Sequence, residues 1–455
     1  MKLHPITRRR LLLGAGLAGA AVVSACAPGE SVPSASGSAT GAAPEVTDPA
    51  ELGDVELVVW DQEVRGSQND ALVALIAAFE EKYPNITVNR TSQSFDDLKA
   101  QVSLALSGND VPDVVQVNNA RGDMGQFVKA GQLVDLTPYA AQYGWEDRFP
   151  ASVLSKVRYS GDATTFGEGN LYGLPQTGEI VGLFYSQKKL DALGAEAPAT
   201  WEDYLALLDE AKAAGEQPMV LGNIEKWPAL HVFGPLQAHY VEPETIVQLG
   251  MGNAGATWTD EANVAAMEQF ATWGTEGYFG TSPNGLDYDP AWTEFTQGTG
   301  VFLPGGSWLA TDMEAVMGED LRFMPPPPAV DGKLATTGGT GIPFSIPAKA
   351  KNVAAAAAYI DFITSEEAMQ IIADNGGMPV LRTAELAPES GVQKDIYEAF
   401  DTVSQEGTLL PYLDYATPTF SDTAGTGLQE VLGGQKSAQD VLADFEADYQ
   451  AFVGG

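Results

Sequence analysis

The chain has 455 residues, with 61 acidic against 24 basic side chains, a formal net charge of −37 and a single cysteine. That balance tells against nucleic acid as a partner, because phosphate binding needs a basic stripe, and one cysteine leaves no internal disulfide or thiolate metal site. The acidity suits solubility outside the cell, and a body of about 400 residues exceeds what one core usually holds, so two domains are expected.

Residues 1–25 read as an address. Thr7-Arg8-Arg9-Arg10-Leu11-Leu12 is a twin-arginine pattern, which basic segments of ordinary secretory signals can mimic, so either export route fits. The apolar run from Leu11 to Val23 is shorter than the ~20 residues of a membrane span. Val23-Ser24-Ala25-Cys26 resembles the bacterial lipobox, which implies diacylation of Cys26 and a chain anchored to the outer face of the cell membrane. Residues 26–51 are mostly Ala, Ser, Gly, Pro and Thr, and predict a flexible tether. The folded body begins near Leu52.

Strands and helices then alternate. Val55 to Trp60 predicts a strand, followed by a helix with Leu72, Leu75, Ile76 and Phe79 on one face and Pro84 as its stop. Ile86 to Val88 is a second strand, and Ser94 with Asp97 forms a capping box for a helix that Gly108 ends. Pro112 to Val117 is a third. This order predicts a parallel sheet covered on both faces. The stretch Leu171 to Gln187 reads as two short strands broken by Pro175 and Gly178, with Glu179 at the mouth of an apolar run, Ile180 to Tyr185, suited to burial on both faces.

The same grammar resumes afterwards. Thr200 caps a helix bearing Trp201, Tyr204, Leu205 and Leu208; Met219 to Leu221 predicts a strand; Lys226-Trp227-Pro228 opens a helix through His239; Thr259 starts another. Phe295 to Trp308 runs from a helix end through a strand into a glycine turn, Pro325 to Pro328 form a stiff connection, and Val353 to Ile363 is a helix. After Met378-Pro379 helices are expected to the end. Glycine-marked junctions at Gln176 to Gly178, near Gly338 and near Gly376 predict three crossings of a hinged body: residues 52–177 and 341–375 in one lobe, 178–340 and 376–455 in the other. His231 and His239 read as ordinary helix residues, with no metal pair.

Val-Val-Trp60, Pro112-Asp-Val-Val115 with Arg121, Leu171-Tyr-Gly-Leu-Pro175 with Glu179, Thr200-Trp201, Gly305-Gly306-Ser307-Trp308 and Ile346-Pro347-Ala348-Lys349 stand in an order that resembles family 1 extracellular solute-binding proteins. The resemblance spans about residues 52 to 452. It implies a two-lobed α/β periplasmic-binding-protein-like fold and a binding rather than catalytic role. The protein would be monomeric and without a cofactor, taking a neutral oligosaccharide between its lobes and delivering it to the permease subunits of an ABC importer. By the same resemblance the ligand would meet Asp61, Gln62 and Arg65 after the first strand, Asn118, Asn119 and Arg121 after the third, Glu179 at the crossover, and Trp308. Trp227, Gly339 and Met378 complete the expected set. Val117 and Ile224 depart from the maltose-binding pattern, which has aromatics there, and this tells against maltodextrin.

Aromatic platforms for pyranose C–H faces, with acids, amides and Arg for the hydroxyl rim, are what a sugar site requires. Trp60 reads as core, Trp201, Trp258 and Trp273 as packing or surface, and Asp287 to Trp292, acidic and aromatic, as a segment that could edge the cleft without being assigned to the site. Two other readings share these features. A lipid-anchored glycoside hydrolase needs two carboxyls about 5 to 9.5 Å apart, for which Glu179 with Asp61 is the one pair to nominate. A peptide or polyamine receptor would have the same two-lobed body.

Overall fold

A computed structural model describes residues 48–454. The leader, Cys26 and all but the last residues of the tether lie outside the described residues. Two sheets organise the body, each with its own cores and helices.

The first sheet has the order β10-β3-β1-β2, from β1 (Val55–Asp61), β2 (Ile86–Ser92), β3 (Val114–Gln116) and, much later in the chain, β10 (Phe344–Ser345). β1 is parallel to β2 and β3, as alternating strands and helices require, while β10 returns antiparallel to β3. Leu57 and Val59 point into a core with Leu72, Leu75 and Phe79 of helix Gly66–Lys82 and with Tyr359 and Ile360 of helix Val353–Ile363. The Ser94 hydroxyl accepts the Asp97 N–H and donates to the Asp97 carboxylate, so helix Phe95–Ser107 starts with the expected cap and ends at Gly108. A two-stranded hairpin, β4 (Arg158–Tyr159) with β5 (Asn170–Leu171), leads towards the first crossing.

The second sheet is built around β6 (Gly178–Ser186), whose run from Ile180 to Ser186 is buried throughout. Its other strands are β7 (Phe302–Gly306), β8 (Leu321–Met324), β9 (Ala335–Thr340) and β11 (Thr408–Leu410). β7, β8 and β9 all pair antiparallel with β6, and only β11 with β9 is parallel. The expectation of a second lobe on the plan of the first is therefore corrected: nine-residue β6 pairs β9 at its start and β7 and β8 further along. Met219 to Leu221 is not a full strand. Pro218 and Gly222 confine it to a single bridge, Met219 to Phe302. The helix expected from Thr259 is capped by Asp260, which accepts the Asn263 N–H, and β11 interrupts the helices expected after residue 379.

Three crossings run side by side between the sheets. The Gly178 N–H donates to the Met378 carbonyl, the Gly341 N–H to the Thr177 carbonyl and the Val380 N–H to the Gln176 carbonyl. Met378 packs with the second sheet's side chains, whereas Val380 belongs to the first sheet's core, so the third crossing passes back beyond residue 376. Gly341 has no room for a side chain: an added Cβ would fall 2.2 Å from Thr177 Oγ1 and 3.0 Å from Glu179 Oε1.

Candidate functional site

Between the lobes lies a cavity of about 390 Å³. The first lobe contributes Gln62 and Arg65 from the loop after β1, Asn118 and Asn119 after β3, and Phe95 and Lys99 from a helix start. These sites follow from topology, because the carboxyl ends of parallel strands open towards a crevice. The second lobe contributes a set of aromatic rings, and the crossings contribute Glu179, Thr340 and Ile342.

The aromatic wall is locked by its own contacts. Trp227 starts helix Trp227–Gln237 and meets Tyr288 with ring centres 4.4 Å apart. Trp308 Nε1 donates to the Tyr288 hydroxyl at 2.9 Å, and the Trp308 indole lies so close to Gly306 that a Cβ there would fall 2.1 Å from ring atoms. Gly305 and Gly306 are the end of β7 rather than a turn; the bare Gly306 backbone admits the ring. His231 joins the wall, with Trp308 at 5.4 Å and Tyr412 at 5.3 Å. Burial pushes its imidazole down to about 3, so it is neutral at pH 7. Phe95 faces Trp227 from the opposite lobe at 6.4 Å.

Polar groups ring this wall. Asn119 Nδ2 donates to the Lys156 carbonyl at 2.8 Å, and its Oδ1 accepts the Tyr415 hydroxyl at 2.6 Å. Asn118 Nδ2 donates to Asp123 at 2.9 Å and reaches Asp414 at 3.5 Å. Arg65, just before helix Gly66–Lys82, pairs across the cleft with Asp289 at 2.9 Å, its guanidinium 5.8 Å from the Tyr288 ring centre. This ion pair joins one lobe to the other.

Glu179 accepts a long hydrogen bond, 3.4 Å, from the Tyr412 hydroxyl. Burial first, and the nearby Glu63 carboxylate second, raise its pKa to about 8, so it carries a proton at pH 7 and can donate one hydrogen bond. Glu63 itself is buried; Gln116 Nε2 donates to its Oε1 at 2.7 Å, and its Oε2 has no partner among the described residues.

Four of the expected residues sit elsewhere. Asp61 is fully buried and holds Arg90 with both oxygens, at 2.7 and 2.8 Å, because an ionised carboxylate at that depth requires a paired cation. Asp61 is thereby absent from the cavity wall that Glu179 lines. Arg121 is buried at the start of a π turn, Arg121–Gly125; it donates to the Met251 and Thr164 carbonyls and stacks 4.6 Å from Phe452, acting as a strut. Met378 is core, and Gly339, opposite Glu179 in the β6–β9 ladder, lies outside the cavity wall.

Conversely, the cavity brings in residues that sequence reasoning set aside. Tyr288 and Asp289 came from the acidic, aromatic Asp287 to Trp292 segment, and His231 from a helix read as ordinary. Tyr412, Asp414 and Tyr415 reach it on a short 3-10 turn, Leu413–Tyr415, following β11. The density of Tyr and Asp in Tyr412-Leu-Asp-Tyr415 was the one available signal.

The sequence profile of the bacterial extracellular solute-binding proteins matches residues 65–370. The chain is 26% identical over 326 residues to the multiple sugar-binding protein of Streptococcus mutans, covering 68% of this chain and 71% of that one. It is 23% identical over 420 residues to an uncharacterized ABC transporter extracellular-binding protein of Pyrococcus horikoshii, covering 90% and 88%. Among solved structures, a chitin oligosaccharide binding protein superimposes with a TM-score of 0.73 at 21% identity, covering 88% of this chain and 99% of the other. With the profile matched over more than half of its length, the chain belongs to the bacterial extracellular solute-binding proteins.

Proposed function

We propose that this protein captures a neutral oligosaccharide in the interlobe cleft, closes its lobes around it, and passes it unaltered to the permease of an ABC importer. The observation that carries this reading is the pairing of an aromatic wall, Trp227, Tyr288 and Trp308, with amides and charged groups contributed by both lobes. A pyranose offers apolar faces and a hydroxyl rim, and this wall and rim complement both. Gln62, Arg65, Asn118, Asn119, Glu179, Trp227 and Trp308 are the ligand-contacting residues in this reading. A sugar-binding relative and an oligosaccharide-binding neighbour of the same fold agree with it.

In this reading the hinge separates residues 52–177 and 341–375 from 178–340 and 376–455, adjusted for Val380, and the protein works as a monomer. Export through the 1–25 leader and diacylation of Cys26 hold it at the outer face of the membrane, with residues 26–51 as the tether. Calorimetry against a panel of di- to tetrasaccharides, with the recovered sample chromatographed, tests both halves. Binding of a peptide or polyamine with no sugar bound overturns the substrate class; recovery of cleaved sugar replaces the receptor with a hydrolase.

A further inference from the structure

A small chamber adjoins the cleft on its first-lobe side. Its volume is about 20 Å³, room for one group of water or methyl size. Leu98 and Val102 of helix Phe95–Ser107, Val117 after β3, and Phe127 form its apolar interior. Phe95, Lys99, Asn118 and Ile342 line both the chamber and the main cavity, so the two spaces share a wall.

Of the polar groups that line the chamber, Gln116 is fully engaged, whereas Asp123, Asn118 and Lys99 keep hydrogen-bonding capacity. Gln116 accepts the Gln62 N–H on Oε1 and donates from Nε2 to Glu63 and to the Ile342 carbonyl. One oxygen of Asp123 receives both Lys99 Nζ at 3.1 Å and Asn118 Nδ2 at 2.9 Å. An apolar group placed against Leu98, Val102, Val117 and Phe127 removes apolar surface from water and is favoured for that reason.

The shared wall carries the complementary polar groups. Asn118 donates from Nδ2 to Asp123 and Asp414, which leaves Oδ1 as an acceptor at the rim. Lys99 uses one ammonium proton on Asp123 and has two more to donate. An apolar hole the size of one methyl, flanked by one acceptor and one cationic donor, matches an N-acetyl group.

We propose that this chamber selects a saccharide bearing an acetamido group, with its methyl among Leu98, Val102, Val117 and Phe127, its N–H on Asn118 Oδ1 and its carbonyl oxygen on Lys99 Nζ. The proposal rests on the sugar-binding reading of the cleft. A hydroxyl at the same carbon leaves the chamber empty, and a free amine brings a second positive charge beside Lys99. A deoxy sugar's methyl fills the hole but leaves the rim unpaired.

The test is calorimetry on the mature chain with the β-1,4 dimers of glucose, N-acetylglucosamine and glucosamine, with fucose as the methyl-only probe and maltotriose as an unrelated sugar. The N-acetylglucosamine dimer is expected to bind at least about tenfold tighter than the glucose dimer. Val102→Phe, which fills the chamber, is expected to abolish that preference while leaving glucose-dimer affinity unchanged. Val117→Leu is a milder filling variant should the first fail to fold. Equal affinity for the glucose and N-acetylglucosamine dimers overturns the proposal, as does tighter binding of fucose, or an acetamido preference that survives both filling variants. If maltotriose alone binds, the proposal fails while the sugar reading stands; if no sugar binds, the reading itself has failed.

Discussion

Replacing Trp308 by Ala removes the cleft's most constrained platform, and its cost can be worked from the contacts. The indole is held over Gly306, tied to the Tyr288 hydroxyl at 2.9 Å and met by His231 at 5.4 Å, so it enters binding with little freedom left to lose. Stacking contributes about 0.5 to 1.5 kcal/mol beyond area burial. A sugar face covering roughly 50 Å² of ring adds about 1.3 kcal/mol. Together these give about 2 to 3 kcal/mol, or roughly thirtyfold to hundredfold in Kd. The Tyr288 hydroxyl also loses its donor, which costs about 1 kcal/mol and registers in the melting temperature of the free protein. Trp308→Phe keeps one six-membered ring but loses the pyrrole half with its N–H, so it is expected to lose less affinity than Trp308→Ala. Calorimetry with the best-binding sugar, alongside melting curves, measures both effects. A Trp308→Ala variant that binds within about twofold of the parent, with its fold intact, would refute the platform reasoning.

Glu179 gives a pH prediction. Its folded pKa of about 8 lies above the ordinary carboxylate value, so the folded state holds the proton more tightly than the unfolded chain and stability falls as pH rises towards 8. Glu179→Gln should flatten that decline in melting temperature between pH 5 and about 8; parallel curves for the two proteins would contradict it. The Arg65–Asp289 pair joins the lobes but leaves Asp289 largely exposed, so a double-mutant cycle on sugar affinity should give a coupling of only about 0.2 to 1 kcal/mol, shrinking with added salt. A coupling indifferent to salt would point to another contact. Gly341→Ala pushes a Cβ into Thr177 and Glu179 at the crossings and should destabilise the protein by about 1 to 3 kcal/mol, an expectation that an unchanged denaturation midpoint would remove. Cys26→Ala should move the protein out of the membrane fraction or leave it unprocessed, and a fully processed variant that still fractionates with membranes would count against the anchor.

Local chemistry was legible in the chain itself. Ser94 and Thr200 declared helix starts because a side-chain oxygen followed by an acidic turn satisfies free N–H groups wherever it occurs. Ile180 to Tyr185 declared a doubly buried strand, since that signal depends on a few neighbouring residues. Gln62, Arg65, Asn118, Asn119, Glu179, Trp227 and Trp308 reached the cleft wall because strand ends, a crossover and a helix start fix where such residues emerge. What the tertiary structure decided was partnership. Asp61 and Arg121 carry the same chemistry as their cleft neighbours, yet Asp61 is taken by Arg90, 29 positions later, and Arg121 by the Met251 carbonyl, 130 positions later. Tyr288, Tyr412 and Asp414 enter the site from segments more than a hundred residues apart, and the second sheet turns antiparallel because β7, β8 and β9 all return against β6. Periodicity along a chain records which face of an element is buried; it does not record which distant group a polar side chain will meet, because that depends on how whole elements pack.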